Sequence, residues 1–183
     1  ALRVEKDPAK REQLGNLANT AGELIGSMRQ IIWTMNADQA GVEDLAVYTT
    51  SYARNYCQEN GLGIDVQQMG PWPSLLLTTE QRRNVFLVVK EALHNTVKHA
   101  RAEHVRLKIH WDEGLAVEVG DDGIGLSQGA DKATGNGLRN MERRIRALGG
   151  TFTIEAGQGT RIRFHVPLRE SPRNQGSIAS TVL

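Results

Sequence analysis

Leu115, Val117 and Val119 alternate with Ala116, Glu118 and Gly120, and the run ends in Asp121-Asp122-Gly123-Ile124-Gly125. Such alternation predicts a strand with one buried face, and carried forward it puts Asp121 on the apolar side. A carboxylate aimed at a core is costly unless something there hydrogen-bonds to it. The two glycines that follow have no side chains, so backbone can approach a flat or phosphorylated ligand closely. An inward acid followed by a glycine turn reads as a small-molecule site. An ordinary Asp-Gly turn closing a strand has the same local sequence, so the rest of the chain must decide.

The segment from Glu80 to about Ala100 carries the second signal. Val85, Phe86, Val88, Val89, Ala92, Leu93 and Val97 make it apolar over much of a helical circumference. Thr78 or Thr79 caps it, with Glu80 in the first turn. Glu91, Asn95 and Lys98 fall at i, i+4 and i+7 and form one polar line, with His99 close by. A carboxylate orients water, an amide oxygen ligates a hard cation and Lys neutralises phosphate. A solvated helix edge with an ion pair has the same spacing.

Around these two signals the chain reads as α/β. A helix is expected from Val42 to Glu59, stopped by Asn60-Gly61, and Ile64–Gln67 alternates briefly as an edge strand. Val105, Leu107 and Ile109 point inward on one strand, while Arg106, Lys108 and His110 point outward, as Arg161, Arg163 and His165 do later. No aromatics interleave with that basic face, so it reads as a solvated surface and no nucleic-acid partner is expected. A polar stretch, Leu126–Thr134, runs into Gly135-Asn136-Gly137-Leu138 and a helix striped by Met141, Ile145 and Leu148. Glycines delivered to a helix N-terminus suit phosphate, although glycines also cap and turn. Gly149-Gly150 ends that helix, and strands Thr151–Glu155 and Thr160–Val166 follow. From Arg169 onward the chain reads as a polar tail.

The N-terminal part is different. Leu14, Leu17, Ala21, Leu24, Met28, Ile31 and Met35 recur at alternating spacings of three and four, a heptad seam over Ala9–Met35. Such a helix needs a partner helix, or lies on a globular domain. Composition narrows the class: 183 residues suit one domain with an appendage, and a net charge of +1 sets up no global field for nucleic acid or anionic membrane. The single cysteine, Cys57, excludes an internal disulfide framework. The domains expected are 1–41, a long helix and linker; 42–168, the ligand-binding domain; and 169–183, the tail.

The motifs together resemble a family. Glu91-Ala92-Leu93-His94-Asn95-Thr96-Val97-Lys98-His99-Ala100 resembles the N box of bacterial sensor histidine kinases, Asp121–Gly125 their G1 box and Gly135-Asn136-Gly137-Leu138 their G2 box. Gly149-Gly150 and Gly157-Gln158-Gly159-Thr160 complete the order over about Thr78 to Leu168. The superfamily also includes gyrase-type ATPases and a heat-shock chaperone. The Leu138, Met141, Arg144 run is similar to the kinases paired with helix-turn-helix response regulators. The resemblance implies a two-layer α/β sandwich of the Bergerat ATP-binding fold, a mixed sheet from about Ile64 to Leu168. Helices 80–100 and 135–148 would pack on one face, preceded by a long helix of a dimerisation hairpin.

It also implies roles. Asp121 would accept the adenine amino group, and Gly123 and Gly125 would let the chain pass close to the base. Asn95 would ligate magnesium and Glu91 would orient water on it, the two forming the catalytic pair. Lys98 and His99 would lie near the phosphates of ATP, Gly135 and Gly137 would hinge a lid, and Lys132, Thr134, Leu138 and Thr160 would complete the ATP site. Asp122 stands where many relatives have Asn. The phosphoacceptor of such kinases is a histidine on the first hairpin helix, but His94, His99, His104, His110 and His165 all lie outside the N-terminal helices. The resemblance therefore places the acceptor upstream of Ala1, in a dimeric, membrane-bound sensor of which this is a cytoplasmic part. A response regulator would receive the phosphoryl group. An anti-sigma-factor-type serine kinase shares these boxes, and a non-catalytic, ATP-gated binding module is the alternative of another class.

Overall fold

The computed structural model describes Lys10 and residues 40–125 and 137–168. Apart from Lys10, the Ala9–Met35 helix lies outside the described residues, as do the segment with Lys132, Thr134 and Gly135 and the tail. The order is α1 (Val42–Glu59), β1 (Gly63–Met69), α2 (Thr79–Asn95) with a π turn (Thr96–Ala100), β2 (His104–Trp111), β3 (Leu115–Asp121), α3 (Gly137–Ala147), β4 (Thr151–Gly157) and β5 (Gly159–Val166).

The five strands form one mixed sheet in the order β1-β2-β3-β5-β4. β1 and β2 are parallel, a pairing that needs a crossover, and α2 supplies it. The remaining neighbours are antiparallel. Val105, Leu107 and Ile109 of β2, Leu115, Val117 and Val119 of β3, and Ile162, Phe164 and Val166 of β5 are all buried. Period-two alternation therefore fixes which sheet face takes the helices.

α2 is buried through Val85, Phe86, Val88, Val89, Ala92 and Leu93. Its first turn is closed by a capping box: the Gln81 amide donates to Thr78 Oγ1 at 3.1 Å, and the Thr78 amide to Gln81 Oε1 at 2.7 Å. Thr78→Ala removes one of those acceptors and is expected to cost about 1 kcal/mol, read as a lower urea midpoint at unchanged slope. Two helices were expected on the sheet, and α1 adds a third. Its buried stripe of Val42, Leu45, Ala46, Thr49, Ala53 and Cys57 recurs at helical spacing. The rings of Tyr48 and Tyr52 meet Phe86 at 5.1 and 5.0 Å, which fastens α1 to α2. α3 buries Met141 and Ile145 and reaches α2 through Arg144 Nη1, which donates to Asn84 Oδ1 at 3.2 Å. Leu148, expected in its stripe, is half-buried beyond the end of the helix.

Candidate functional site

Asp121 is the last residue of β3 and lies on the helix side, as the alternation requires. Its Oδ1 accepts the Gly123 amide at 3.0 Å and the Thr160 amide at 3.1 Å, while Thr96 Oγ1 stands 3.3 Å from Oδ2. The half-buried carboxylate therefore has its partners, and they come from three separate segments. A carboxylate offers about four lone-pair directions, so Oδ2 retains room for one more donor. Asp122 points the other way. Its Oδ1 accepts the amides of Glu103 and His104, each at 2.9 Å, and these bonds, that of His104 first, hold its carboxyl below the usual range.

The glycines answer to the chain's own backbone. A side chain at Gly123 would strike the Ala100 carbonyl, and one at Gly125, where φ is +71°, would meet the carbonyl of Gly157 at 2.7 Å. Gly159, with φ at +88°, is pressed against the carbonyl of Asp121. The turn after β3 is thus clamped between the π turn and the β4–β5 hairpin, and only glycine fits there.

Beside Asp121 a cleft opens between the helices and the sheet. Asn95, Thr96 and His99 line it from α2 and the π turn, Leu138 from α3, and Gly125 and Thr160 from the glycine turn and β5. Its remaining walls are apolar, among them Ala92, Val119 and Ile162. The π turn follows Asn95 directly, and His99 rather than Lys98 lines the cleft, although both residues are exposed. Glu91 is half-buried and outside the cleft lining. It marks where α3 begins, because a Cβ on Gly137 would lie 2.5 Å from Glu91 Oε1 and 3.8 Å from Asn95 Nδ2. The N-terminus of α3, with its unpaired amides and positive dipole end, is therefore seated on Glu91 and Asn95.

Of the residues singled out from sequence, the fold brings together Asn95, His99, Asp121, Gly125, Leu138 and Thr160 around one cleft, with Glu91, Gly123 and Gly137 just behind them. Lys98 stands apart. Thr96 was missed: nothing in its local sequence marks a helical threonine whose hydroxyl is shared between the Ala92 carbonyl at 3.2 Å and Asp121. Ala92, Val119 and Ile162 read as core from sequence, and they double as cleft wall.

A polar acceptor at the end of an apolar slot suits a flat heterocycle with an exocyclic amine. A helix N-terminus beside an amide and a carboxylate suits phosphates and a cation. Comparison with known proteins agrees. The sequence pattern of the family described as histidine kinase-, DNA gyrase B-, and HSP90-like ATPase matches residues 80–170. The signal transduction histidine-protein kinase/phosphatase UhpB of Salmonella typhimurium is 44% identical over 95 residues, 51% of this chain and 19% of that protein. The oxygen sensor histidine kinase NreB of Staphylococcus carnosus is 32% identical over 178 residues, 92% of this chain and 50% of that one. The chain spans half or less of the length of these relatives. Its fold matches the histidine kinase domain of a blue-light activated kinase from Erythrobacter litoralis with a TM-score of 0.61, at 24% identity, covering 76% of this chain and 69% of that one.

Proposed function

From residues 80–170, which belong to the histidine kinase-, DNA gyrase B- and HSP90-like ATPase family and form the ATP-binding catalytic domain of a sensor histidine kinase, we propose that this chain transfers the γ-phosphoryl group of Mg-ATP to a histidine on a dimerisation hairpin. The observation that carries the reading is the joining of Asp121, Asn95 and the α3 N-terminus around one cleft. Asp121 Oδ2 accepts the adenine amino group while Oδ1 stays bonded to the Gly123 and Thr160 amides, which fixes the carboxylate's direction. Ala92, Val119 and Ile162 face the base and keep water from that hydrogen bond. The phosphates extend toward Asn95, His99 and the start of α3.

Magnesium fits this donor set. Among the described residues no three acids or histidines cluster as a metal cage, and magnesium bound to nucleotides typically takes only one or two protein ligands beside phosphate oxygens. Asn95 would hold it, with Glu91 beside it, and when bound it neutralises charge on the phosphates. In the transfer, the bond from the γ-phosphorus to the ADP oxygen breaks and a bond to the acceptor imidazole nitrogen forms. The protein's part is to align those atoms. Lys132, Thr134 and Gly135 belong to the same proposed ATP site by their place before Gly137, and Lys98 lends its charge from the rim.

The acceptor hairpin, a homodimer and a response regulator are the partners this reading requires, the regulator being of helix-turn-helix type by the Leu138, Met141, Arg144 run. No helix among the described residues is long and apolar enough to cross a membrane, and we place the domain on the cytoplasmic side of a membrane-bound sensor. Residues 1–41, by their heptad seam, are assigned to the dimerisation hairpin, 42–168 to the catalytic domain and 169–183 to a tail. The relatives' names speak against an anti-sigma-factor-type serine kinase and a non-catalytic module. The test supplies a separate, folded hairpin bearing the acceptor histidine together with Mg-ATP. Label on that histidine is the expected result; good Mg-ATP binding with no label on any cognate hairpin would overturn the kinase reading.

A further inference from the structure

The sheet face opposite the helices holds a second concavity, of about 560 Å3. Strand registers place Asp65, Arg106, Gly120, Arg161 and Glu155 in one row across all five strands. The central member of that row has no side chain. Gly120 has no left-handed backbone, and a Cβ there would meet only the Thr160 carbonyl at 3.8 Å, an ordinary contact. Neither packing nor backbone geometry asks for glycine at this point. In the middle of a sheet glycine weakens the strand, and it marks places where a ligand approaches.

The charges around Gly120 are unevenly matched. Arg163, one row along, donates to Glu118 Oε2 at 2.6 Å and makes a second, short bond to Glu155. Arg161 reaches the same two acids only at 3.5 and 3.7 Å. Asp122 is bonded to backbone amides, and Asp65 faces His104 at 3.1 Å rather than its row neighbour Arg106. Arg106 is exposed and makes no ion pair or hydrogen bond among the described residues. The acids lining the hollow, Glu118, Asp121, Asp122 and Glu155, are each bonded to a backbone amide or to Arg163, whereas Arg106 is unengaged and Arg161 is held only by ion pairs at 3.5 and 3.7 Å. Two strand spacings put their backbones roughly 10 Å apart, so both side chains can converge on one group above the glycine.

We infer that this hollow binds a phosphate-type oxyanion, gripped by Arg106 and Arg161 over Gly120, at a site separate from the nucleotide cleft. Guanidinium groups match the planar, two-oxygen edge of a phosphate. The hollow has room for more than a bare ion, which favours a phosphomonoester of a small molecule. Gly120, Asp121 and Thr160 form the wall between it and the nucleotide cleft on the other face.

The test is an NMR titration of the whole chain with ADP saturating the nucleotide cleft. Inorganic phosphate is one arm and glycerol phosphate the other. Saturable shifts at the Gly120 amide and the Arg106 and Arg161 side chains are expected, with tighter binding in the glycerol phosphate arm. Tighter binding of the bare ion would overturn the monoester assignment. R106Q and R161Q should each weaken binding by about tenfold, while K108Q, one row away, should change it little. Gly120→Val should abolish binding without lowering the melting temperature. Should that variant fail to fold, R106Q, an exposed substitution, decides alone. Absence of saturable shifts, or shifts undiminished in R106Q and R161Q, would overturn the site.

Discussion

Asn95→Ala is expected to slow phosphoryl transfer to a supplied acceptor hairpin by about 100-fold or more, while metal-free ADP binding stays close to that of the unsubstituted chain. The split follows from where Asn95 sits. Its amide ends the regular part of α2 and shares the mouth of the cleft with the α3 N-terminus, 3.8 Å from where a Gly137 Cβ would lie. It makes none of the bonds that hold Asp121. On the proposed reading, losing it removes an oxygen ligand of the cation at the phosphate end and leaves the bonds around Asp121 intact. Charge on the transferring group is spread over phosphate oxygens, so the missing cation contact is felt most during transfer. Calorimetry with ADP in chelator, beside a single-turnover transfer assay, separates the two. Equal losses of binding and transfer would mean that Asn95 supports the fold of the cleft rather than the chemistry.

Asp121→Asn is expected to weaken ATP binding by about 1–3 kcal/mol, roughly 5- to 150-fold. The asparagine oxygen can still accept the Gly123 and Thr160 amides, so the turn after β3 should persist. What changes is the second atom, an acceptor replaced by an NH2 donor that faces both Thr96 and the adenine amine. Two donors then point at one another inside the slot, and one must go unpaired. Calorimetry with ATP, together with a thermal melt to confirm folding, checks this. Unchanged affinity in a folded variant would remove the adenine role from Asp121.

Much of this was legible because local periodicity encodes local burial. Two-residue alternation through Leu115, Val117 and Val119 predicted the inward aspartate, and the apolar wrap of Val85 to Leu93 predicted a helix buried on most sides. The Thr78 cap and the Asn60-Gly61 stop mark element ends in chemistry that needs no distant partner. The N, G1 and G2 boxes carried the ATP reading because their residue types are tied to one ligand's parts.

Other features depend on contacts between segments far apart in the chain. Thr96 acquires its partner only when β3 arrives 25 residues later. Gly123, Gly125 and Gly159 read as turns or ligand contacts, yet the crowding that demands glycine comes from Ala100, Gly157 and Asp121. α1 joined the helix layer with Tyr48 and Tyr52 against Phe86, and a stripe alone does not name what will cover it. The basic outer face, similarly, became a lattice of Arg161 and Arg163 with Glu118 and Glu155 through strand order alone. By itself, the sequence determined which residues turn inward and where each element stops, since those depend on neighbours three or four positions away. Which inward residues meet, and so the cleft that unites Asn95, Asp121, Leu138 and Thr160, was decided by the order in which five strands pair and by the helix each pair must bury.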